Sequence, residues 1–196
     1  MCGRYALHAN PEVIALQFGL DAVPDFAPRY NIAPATEVLI VRDGKASLAH
    51  WGLRRKFANL RAETLAQKFP GPYRDCRALV PASGFYEWQS RAGRKQPYYF
   101  SPADGALLAL AAVCENDSFS LITTEPNATL RNIHDRMPVI IARDDYGAWL
   151  AGDQGLLRPA PDDALKVHPV GMAVNQAAND SPRLLEPVEL PRTLFD

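Results

Sequence analysis

The amino-acid sequence lacks several features that define large classes of proteins. No apolar run approaches the ~20 residues that a membrane-spanning helix needs. The first residues contain no basic segment followed by an apolar stretch and a small-residue cleavage site, and internal repeats are missing. With 196 residues, of which 47% are hydrophobic and 22% charged, we expect one globular domain spanning residues 1–196, located in the cytoplasm and without membrane contact.

Cysteine is scarce, with three residues at positions 2, 76 and 114 and no Cys-x-x-Cys pair. The odd number and the wide spacing favour neither a disulfide framework nor a zinc site, and they fit a reducing cytoplasm. Histidine is scarce as well, and the four histidines show no ligand spacing. We therefore expect no bound metal and no cofactor.

A large excess of charge of either sign is also missing, since the net charge is -1. This value argues against strong non-specific binding to nucleic acid. The charge is unevenly distributed, however. Residues 1–100 contain 14 Lys and Arg against 8 Asp and Glu, whereas residues 101–196 contain 7 against 14. The first half could therefore form a local basic surface, and ordinary solvated charge is the alternative.

Long helical patterns are absent, and 17 prolines interrupt the chain. Short helical signals occur at residues 11–20, 63–69, 127–134 and 144–150. Strand-like runs occur at residues 38–42, 46–51, 78–80, 84–89, 98–101, 107–114, 118–123, 139–142 and 165–170. Asp43-Gly44 predicts a hairpin turn. We predict an α+β fold with mainly antiparallel sheets in a barrel-like core and short flanking helices, with residues 179–196 wrapping the surface.

A cysteine follows the initiator methionine directly. Removal of Met1, which is common before a small residue, would give Cys2 a free α-amine beside its thiol. Such an aminothiol reacts twice with an aldehyde, because the amine forms an imine and the thiol then closes onto the same carbon to give a thiazolidine. Chance placement of Cys2 is the alternative.

Three further runs combine polar side chains in unusual ways. Residues 59–64 bring an amide, a guanidinium and a carboxylate together before a helical run, although a helix start with Glu63 near the positive end of its dipole would look the same. Glu87 stands among aromatic residues, where burial would raise its pKa; an exposed edge-strand position is the alternative. His134 could cap or pack at a helix end, and Arg136 has the planar fork that binds phosphate.

Taken in their order along the chain, these runs resemble the SRAP family, the SOS response-associated peptidases that shield abasic sites in single-stranded DNA by covalent capture. The resemblance spans nearly the whole chain. Its specific motifs are Met-Cys-Gly-Arg at residues 1–4, Gly-Phe-Tyr-Glu-Trp at residues 84–88 and His-Asp-Arg-Met-Pro at residues 134–138. Weaker matches lie at residues 29–34, 51–53, 59–64, 122–124 and 174–175.

The resemblance implies that Cys2 is the crosslinking nucleophile and that Asn59 orients the opened sugar. Glu87 would then handle protons at the amine and the sugar, and His134 would act as acid or base during imine formation and reversal. The DNA itself would be held by Arg4, Asn31, Trp51, Arg61, Trp88 and Arg136. The implied protein is a monomer that associates with the nucleoid when engaged, with self-processing peptidase activity and abasic-site lyase activity.

One segment departs from the family pattern. Family members commonly carry a longer stretch after Trp-Gly-Leu, whereas only residues 54–58 bridge Leu53 to Asn59 here, with three cations in place of an apolar segment. Two other functions remain open. An N-terminal-nucleophile amidohydrolase of the glutamine amidotransferase type also begins Met-Cys-Gly. A non-catalytic binder of single strands would make Cys2 incidental.

Overall fold

The computed structural model describes residues 2–91 and 93–190. In these residues the strands and α-helices follow in the order β1 (Tyr5–Leu7), α1 (Pro11–Phe18), β2 (Arg29–Ile32), β3 (Glu37–Arg42), β4 (Lys45–Trp51), β5 (Asn59–Arg61), α2 (Ala62–Lys68), α3 (Pro70–Asp75), β6 (Arg77–Ala82), β7 (Gly84–Arg91), β8 (Arg94–Pro102), β9 (Leu108–Glu115), β10 (Ser118–Thr124), β11 (Met137–Pro138), α4 (Tyr146–Ala151) and β12 (Leu165–Pro169). Short 3-10 helices lie at Arg143–Asp145, Met172–Asn175 and Pro182–Leu185.

Five of the strands close into a barrel. β4 pairs with β3, β3 with β6, β6 with β9 and β9 with β10, and β10 returns to β4 in parallel. β5 pairs with β10 beyond the end of the β10–β4 pairing, and β11 pairs with β10 beyond the end of the β10–β9 pairing. Closure leaves few unpaired strand edges, and it buries β6, β9 and β10 almost completely.

A second, antiparallel sheet packs against the barrel, with the strand order β12-β8-β7-β1-β2. Its apolar face, including Phe85 and Phe100, joins barrel residues such as Trp51 and Leu110 in one core cluster. The predicted α+β fold with a barrel-like core is therefore confirmed. The predicted Asp43-Gly44 turn is also present, because both residues have the positive φ that this hairpin connection needs.

The N-terminal strand lies between two others, and this placement brings residue 2 to the centre of the sheet. β1 pairs antiparallel with β7, with Tyr5 opposite Phe85. Continuing the same register toward the N-terminus places Glu87 opposite the residue that follows Cys2. The pairing of β1 with β7 therefore brings the N-terminal cysteine close to a carboxylate.

Two predicted elements are wrong. Residues 127–134 form successive turns instead of a helix, and the Asn127 side chain ties their start to another segment by donating to the carbonyls of Ala160 (3.2 Å) and Pro161 (3.0 Å). The strand predicted at residues 139–142 is displaced to β11, and only a single bridge at Ile140 remains. Sequence patterns also missed β1, β2, β5 and α3, which are three to six residues long and give little periodic signal.

The expectation about cysteine is also corrected. Cys76 and Cys114 form a disulfide, and Cys2 is the free cysteine of the described chain. The two partners are 38 residues apart, but Cys76 directly precedes β6, which pairs with β9. The Cys114 amide donates to the Cys76 carbonyl at 2.9 Å. Strand pairing, which residue spacing does not reveal, brings the two sulfurs together.

The C-terminal segment lies over the second sheet in its described part. Leu184 is buried in a small cluster with Tyr86 and Tyr99, and a β-bridge joins Val170 to Pro187. This agrees with the predicted wrapping of residues 179–196, of which residues 191–196 lie outside the described part of the chain. No helix in the described residues is long and apolar enough to cross a membrane.

Gly84 begins β7 where two strands approach closely. A Cβ atom at this position would lie 2.4 Å from the Phe100 carbonyl oxygen and 2.4 Å from the Tyr99 ring. We expect Gly84→Ala to lower the free energy of unfolding by about 2 to 3 kcal/mol, because backbone and ring must shift together. Denaturant unfolding measures this change. Gly71→Ala is the control, since a Cβ there meets nothing within 4 Å and Ala favours helix α3; equal effects would contradict the account.

Candidate active site

A cleft of about 420 Å³ opens where β7, β8, the segment before β11 and the 3-10 helix Met172–Asn175 meet. Several of its lining residues belong to the specific motifs of the sequence. The lining consists of Arg4, Glu87, Trp88, Ser90, Lys95, His134 and Asn175. The cleft therefore unites side chains that lie up to 171 positions apart in the sequence.

Cys2 lies beside this cleft and has no exposed surface. The Asn59 side chain donates from Nδ2 to the Cys2 carbonyl oxygen at 2.8 Å, which ties β5 to residue 2. Among the described residues, no donor reaches the buried Oδ1 atom of Asn59. Burial raises the pKa of the Cys2 thiol well above its usual range, and the negative charge of Glu87 adds to this rise. The thiol is consequently protonated at neutral pH.

Glu87 is 1% exposed, so the alternative of an exposed edge-strand carboxylate is wrong. It lies on an interior strand, because β7 pairs with both β1 and β8. Burial raises the pKa of Glu87 to about 7. The side chains of β7 alternate between two faces: Phe85 packs in the main core, whereas Tyr86 and Trp88 meet on the opposite face.

His134 faces Glu87, with 3.8 Å between Nε2 and the carboxylate Oε2. Burial lowers the pKa of His134, and the positive charge of Lys95 acts in the same direction. Nδ1 of His134 lies 3.0 Å from the Arg136 backbone nitrogen, 3.2 Å from the Arg136 carbonyl oxygen and 3.1 Å from Asp135 Oδ1, while Nε2 faces Glu87. With Glu87 titrating near neutrality and His134 mostly neutral there, the pair can exchange protons at physiological pH.

Arg4 and Asn31 form one hydrogen-bonded unit at the edge of the cleft. Arg4 donates from Nη1 to Asn31 Oδ1 at 2.7 Å and to the Val174 carbonyl at 2.9 Å. Asn31 is 1% exposed, and its Nδ2 donates to the carbonyls of Gln176 (3.0 Å) and Asn179 (2.7 Å). This position differs from the predicted DNA contact, because the buried amide positions Arg4 and does not reach the surface.

The two predicted tryptophans occupy different environments. Trp51 has no exposed surface, donates from Nε1 to the Ala58 carbonyl at 2.8 Å and packs on Tyr5 at 5.3 Å between ring centroids. Its burial corrects the expectation that Trp51 offers a face to DNA. Trp88 is partly exposed, lines the cleft and donates from Nε1 to Asn175 Oδ1 at 2.7 Å.

Arg61 and Arg136 lie on two sides of β10. Arg61 is exposed and pairs in register with Thr123. Arg136 forms a two-pronged ion pair with Glu63, with distances of 2.7 and 3.0 Å, and its Nη2 also donates to the Thr123 carbonyl at 2.7 Å. Glu63 stands in the first turn of α2, as the helix-start alternative required. The Arg136 guanidinium is therefore already bound by a carboxylate in this structure.

Sequence reasoning missed Ser90 and Lys95. They are opposite one another in the β7–β8 pair, and counting outward from the turn at Gly93, whose φ is 77°, would have paired them. The short segment 54–58, which departs from the family pattern, is partly neutralised by acidic neighbours. Arg54 pairs with Glu115 at 2.8 Å and Arg55 with Asp117 at 3.2 Å, so two of its three cations have an acidic partner.

A metal centre is not evident in residues 2–91 and 93–190, because no three His, Cys, Asp or Glu side chains there are grouped to hold an ion. Asn59, Glu87 and His134 instead supply acceptors and exchangeable protons around residue 2. An amide, a carboxylate with a pKa of about 7, an imidazole and a thiol form a set suited to acid–base and nucleophilic chemistry.

Comparisons with known proteins agree with this arrangement. The family model described as SOS response associated peptidase (SRAP) matches residues 1–177. Abasic site processing protein YoaM of Bacillus subtilis (strain 168) is 34% identical over 222 residues, covering 95% of this chain and 98% of the relative. Abasic site processing protein YedK of Escherichia coli (strain K12) is 28% identical over 222 residues, covering 96% and 100%.

Among solved structures, a protein from Bacteroides thetaiotaomicron is similar in fold. Its TM-score is 0.86 at 21% sequence identity, and the match covers 96% of this chain and 100% of that chain. The match includes nearly all of the barrel and the second sheet of this chain. At this identity the likeness concerns the architecture and not the activity.

The raised pKa of Glu87 makes stability depend on pH. The unfolded chain loses this proton near pH 4.5, whereas the folded protein keeps it to about pH 7, so stability falls as pH rises between the two values. We expect Glu87→Gln to match the wild type near pH 4 and to be more stable at pH 8, by roughly 3 kcal/mol. Urea unfolding from pH 4 to pH 8 measures this. A difference that does not change with pH would contradict the assignment.

Proposed function

Because the chain belongs to the SOS response associated peptidase (SRAP) family, we propose that it captures abasic sites in single-stranded DNA covalently through Cys2. The names of the relatives, abasic site processing proteins, support this substrate class. The observation that carries the proposal is the meeting of three separate segments around residue 2. Asn59 contacts Cys2, while Glu87 lies next to His134 and its charge acts on Cys2.

The first step needs a free α-amine at Cys2, and therefore the removal of Met1. An abasic site in its ring-opened form carries an aldehyde, to which the amine adds. Loss of water from the resulting carbinolamine leaves an imine. His134 takes a proton from the Glu87 carboxyl group, which lies 3.8 Å from its Nε2, and passes it to the departing hydroxyl, which leaves as water; it takes a proton back during reversal.

The second step closes the ring. The Cys2 sulfur forms a bond to the imine carbon as the electrons of the C=N double bond move to nitrogen, which takes up a proton. One aldehyde and one aminothiol thus give one thiazolidine and one water molecule. Because burial keeps the thiol protonated, a base must remove its proton, and Glu87 has a pKa of about 7 for that role. The reacting groups are held together, so closure is intramolecular and favourable.

Asn59 holds residue 2 in place during both steps. Its Nδ2 is committed to the Cys2 carbonyl at 2.8 Å. Its Oδ1 is buried, and the described residues offer it no donor, so a sugar hydroxyl or the N–H of the new ring can supply one. Asn59 is therefore proposed to orient the opened sugar.

The DNA strand is proposed to lie across the cleft and its margins. Arg4, Arg61 and Arg136 bind phosphates, and the partly exposed ring of Trp88 supports a base or a sugar. Such contacts weaken as salt rises. The lesion needs no base flipping, because an abasic site has no base to remove from the stack.

Further activities follow from the same chemistry. The peptidase activity of the family name is proposed to be the removal of the chain's own leader residue or later self-release. An imine that persists before ring closure also permits β-elimination, which would make the protein an abasic-site lyase. Every residue proposed for these steps belongs to one chain, so a monomer suffices. We place its action in the cytoplasm, at the nucleoid when it is engaged, as part of the DNA damage response.

Mass spectrometry after mixing with single-stranded DNA that contains one abasic site tests the proposal. We expect a covalent adduct with the mass of both components less one water, carried by protein that has lost Met1. Cys2→Ala should abolish the adduct while salt-sensitive binding remains. Glutaminase activity without an adduct would favour the amidohydrolase, and an adduct that survives Cys2→Ala would exclude the thiazolidine.

The role of Glu87 is tested by the rate of adduct formation. Glu87→Gln keeps the size of the side chain but removes the base, so we expect the rate at pH 7 to fall by about 100-fold or more. Glu115→Gln is the matched control, because it removes the same charge from a pair with Arg54 outside the cleft. Similar rates for the two variants would argue against Glu87 as the proton carrier.

A further inference from the structure

The proposed function assigns Arg136 to binding phosphate, but in this structure its guanidinium is paired with the carboxylate of Glu63. The two side chains differ in exposure: Glu63 is 51% exposed, whereas Arg136 is 11% exposed. Glu63 lies in the first turn of α2, which directly follows β5, and Arg136 directly precedes β11; β10 lies between β5 and β11 and pairs with both. The pair thus lies close to Asn59 on one side and His134 on the other.

Three of the five N–H groups of Arg136 are committed within the described chain. Nη1 and Nη2 donate to the two carboxylate oxygens of Glu63 at 2.7 and 3.0 Å, and Nη2 also donates to the Thr123 carbonyl at 2.7 Å. The Nε atom is buried and has no hydrogen-bond partner in the described part of the chain. Of the five N–H groups of the guanidinium, one on Nη1 remains for a ligand at the surface.

A phosphate and a carboxylate present the same two-oxygen edge to an arginine. A DNA phosphate can accept hydrogen bonds from both terminal nitrogens of Arg136 only after the ion pair with Glu63 has broken. Glu63 is the more exposed partner, whereas the Thr123 carbonyl holds Arg136 in place, so the carboxylate is the part that moves. The positive fork holds the pKa of Glu63 below its usual range, which keeps the carboxylate charged and in competition.

We propose that Glu63 is a specificity-determining residue, which occupies the phosphate-binding fork of Arg136 and thereby weakens binding to undamaged single strands. The inference rests on the proposed function, because it takes Arg136 as a phosphate ligand. An undamaged strand is held by reversible contacts alone, so each encounter must displace Glu63. A strand with an abasic site is held by a covalent bond, and capture therefore tolerates weak initial binding.

Alternatively, Glu63 is a positioning residue that holds Arg136 in the orientation needed to bind phosphate. The two roles predict opposite results. If Glu63 competes with phosphate, its removal strengthens binding and adds a phosphate contact. If Glu63 supports Arg136, its removal weakens binding.

Fluorescence anisotropy with an undamaged oligothymidine at several salt concentrations separates these outcomes. We expect Glu63→Gln to bind about 2- to 5-fold more tightly than the wild type, the range for releasing a partly exposed ion pair. The slope of log K against log salt should become steeper by about 0.7, the value for one additional phosphate on a single strand. Weaker or unchanged binding would overturn the proposal.

Two control variants make the result specific. Glu115→Gln removes the same charge from the similar pair with Arg54, and we expect less than about a 2-fold change, because that pair lies outside the cleft. In Glu63→Gln combined with Arg136→Gln the gain should vanish; a gain that persists, or that Glu115→Gln reproduces, contradicts competition at Arg136. Thermal unfolding checks each fold, and Glu63→Asp, which withdraws the carboxylate by one methylene, replaces Glu63→Gln if that variant unfolds.

The adduct assay keeps this inference separate from the proposed function. If wild-type protein forms no adduct with abasic DNA while Glu63→Gln still tightens binding through Arg136, covalent capture fails and the competition stands. If the adduct forms but Glu63→Gln does not tighten binding, covalent capture stands and the competition fails.

Discussion

The burial of a carboxylate beside the second residue is the constraint on which the rest of the site depends. Glu87 has almost no exposed surface, and the loss of hydration raises its pKa to about 7. The same exclusion of water keeps the Cys2 thiol protonated and lowers the pKa of His134. The pKa of Glu87 thereby comes close to that of a histidine, so protons can pass between Glu87 and His134 near neutral pH, whereas the thiol needs a base to ionise. The cost of this arrangement is a carboxylate that is destabilising to the fold when it is ionised.

The fold meets this constraint by placing the chain start inside a sheet. β1 lies between β2 and β7, so residue 2 enters the interior where a terminus is ordinarily exposed. β10 then acts as the common neighbour of β5, which carries Asn59 and Arg61, and of β11, which directly follows Arg136. Gly84 permits the close strand approach at the start of the strand that holds Glu87. The paired strands position the polar groups, so no long loop is needed to hold them.

The sequence was sufficient for the fold class, and it failed where tertiary pairing decides. Long strands such as β9 carry their own pattern of apolar residues, whereas β1, β2 and β5 are defined by the strands beside them. The motif residues Cys2, Asn59 and Glu87 meet as the resemblance implied. Trp51, by contrast, is buried. Motif residues can pack in the core or contact a ligand, and the amino-acid sequence alone does not distinguish these two roles. The Cys76 disulfide depends in the same way on strand register.

The disulfide between Cys76 and Cys114 leaves one free thiol in the described chain, that of Cys2. Under the proposed chemistry Cys2 is the first residue, and a polypeptide has one first residue. Under the proposed chemistry, each molecule can hold one lesion for as long as its ring persists. The protein then behaves as a stoichiometric reagent, and its capacity is counted in copies per cell and not in turnovers. Abundance and the lifetime of the bound state, in place of catalytic speed, would set how many damaged sites are covered at once.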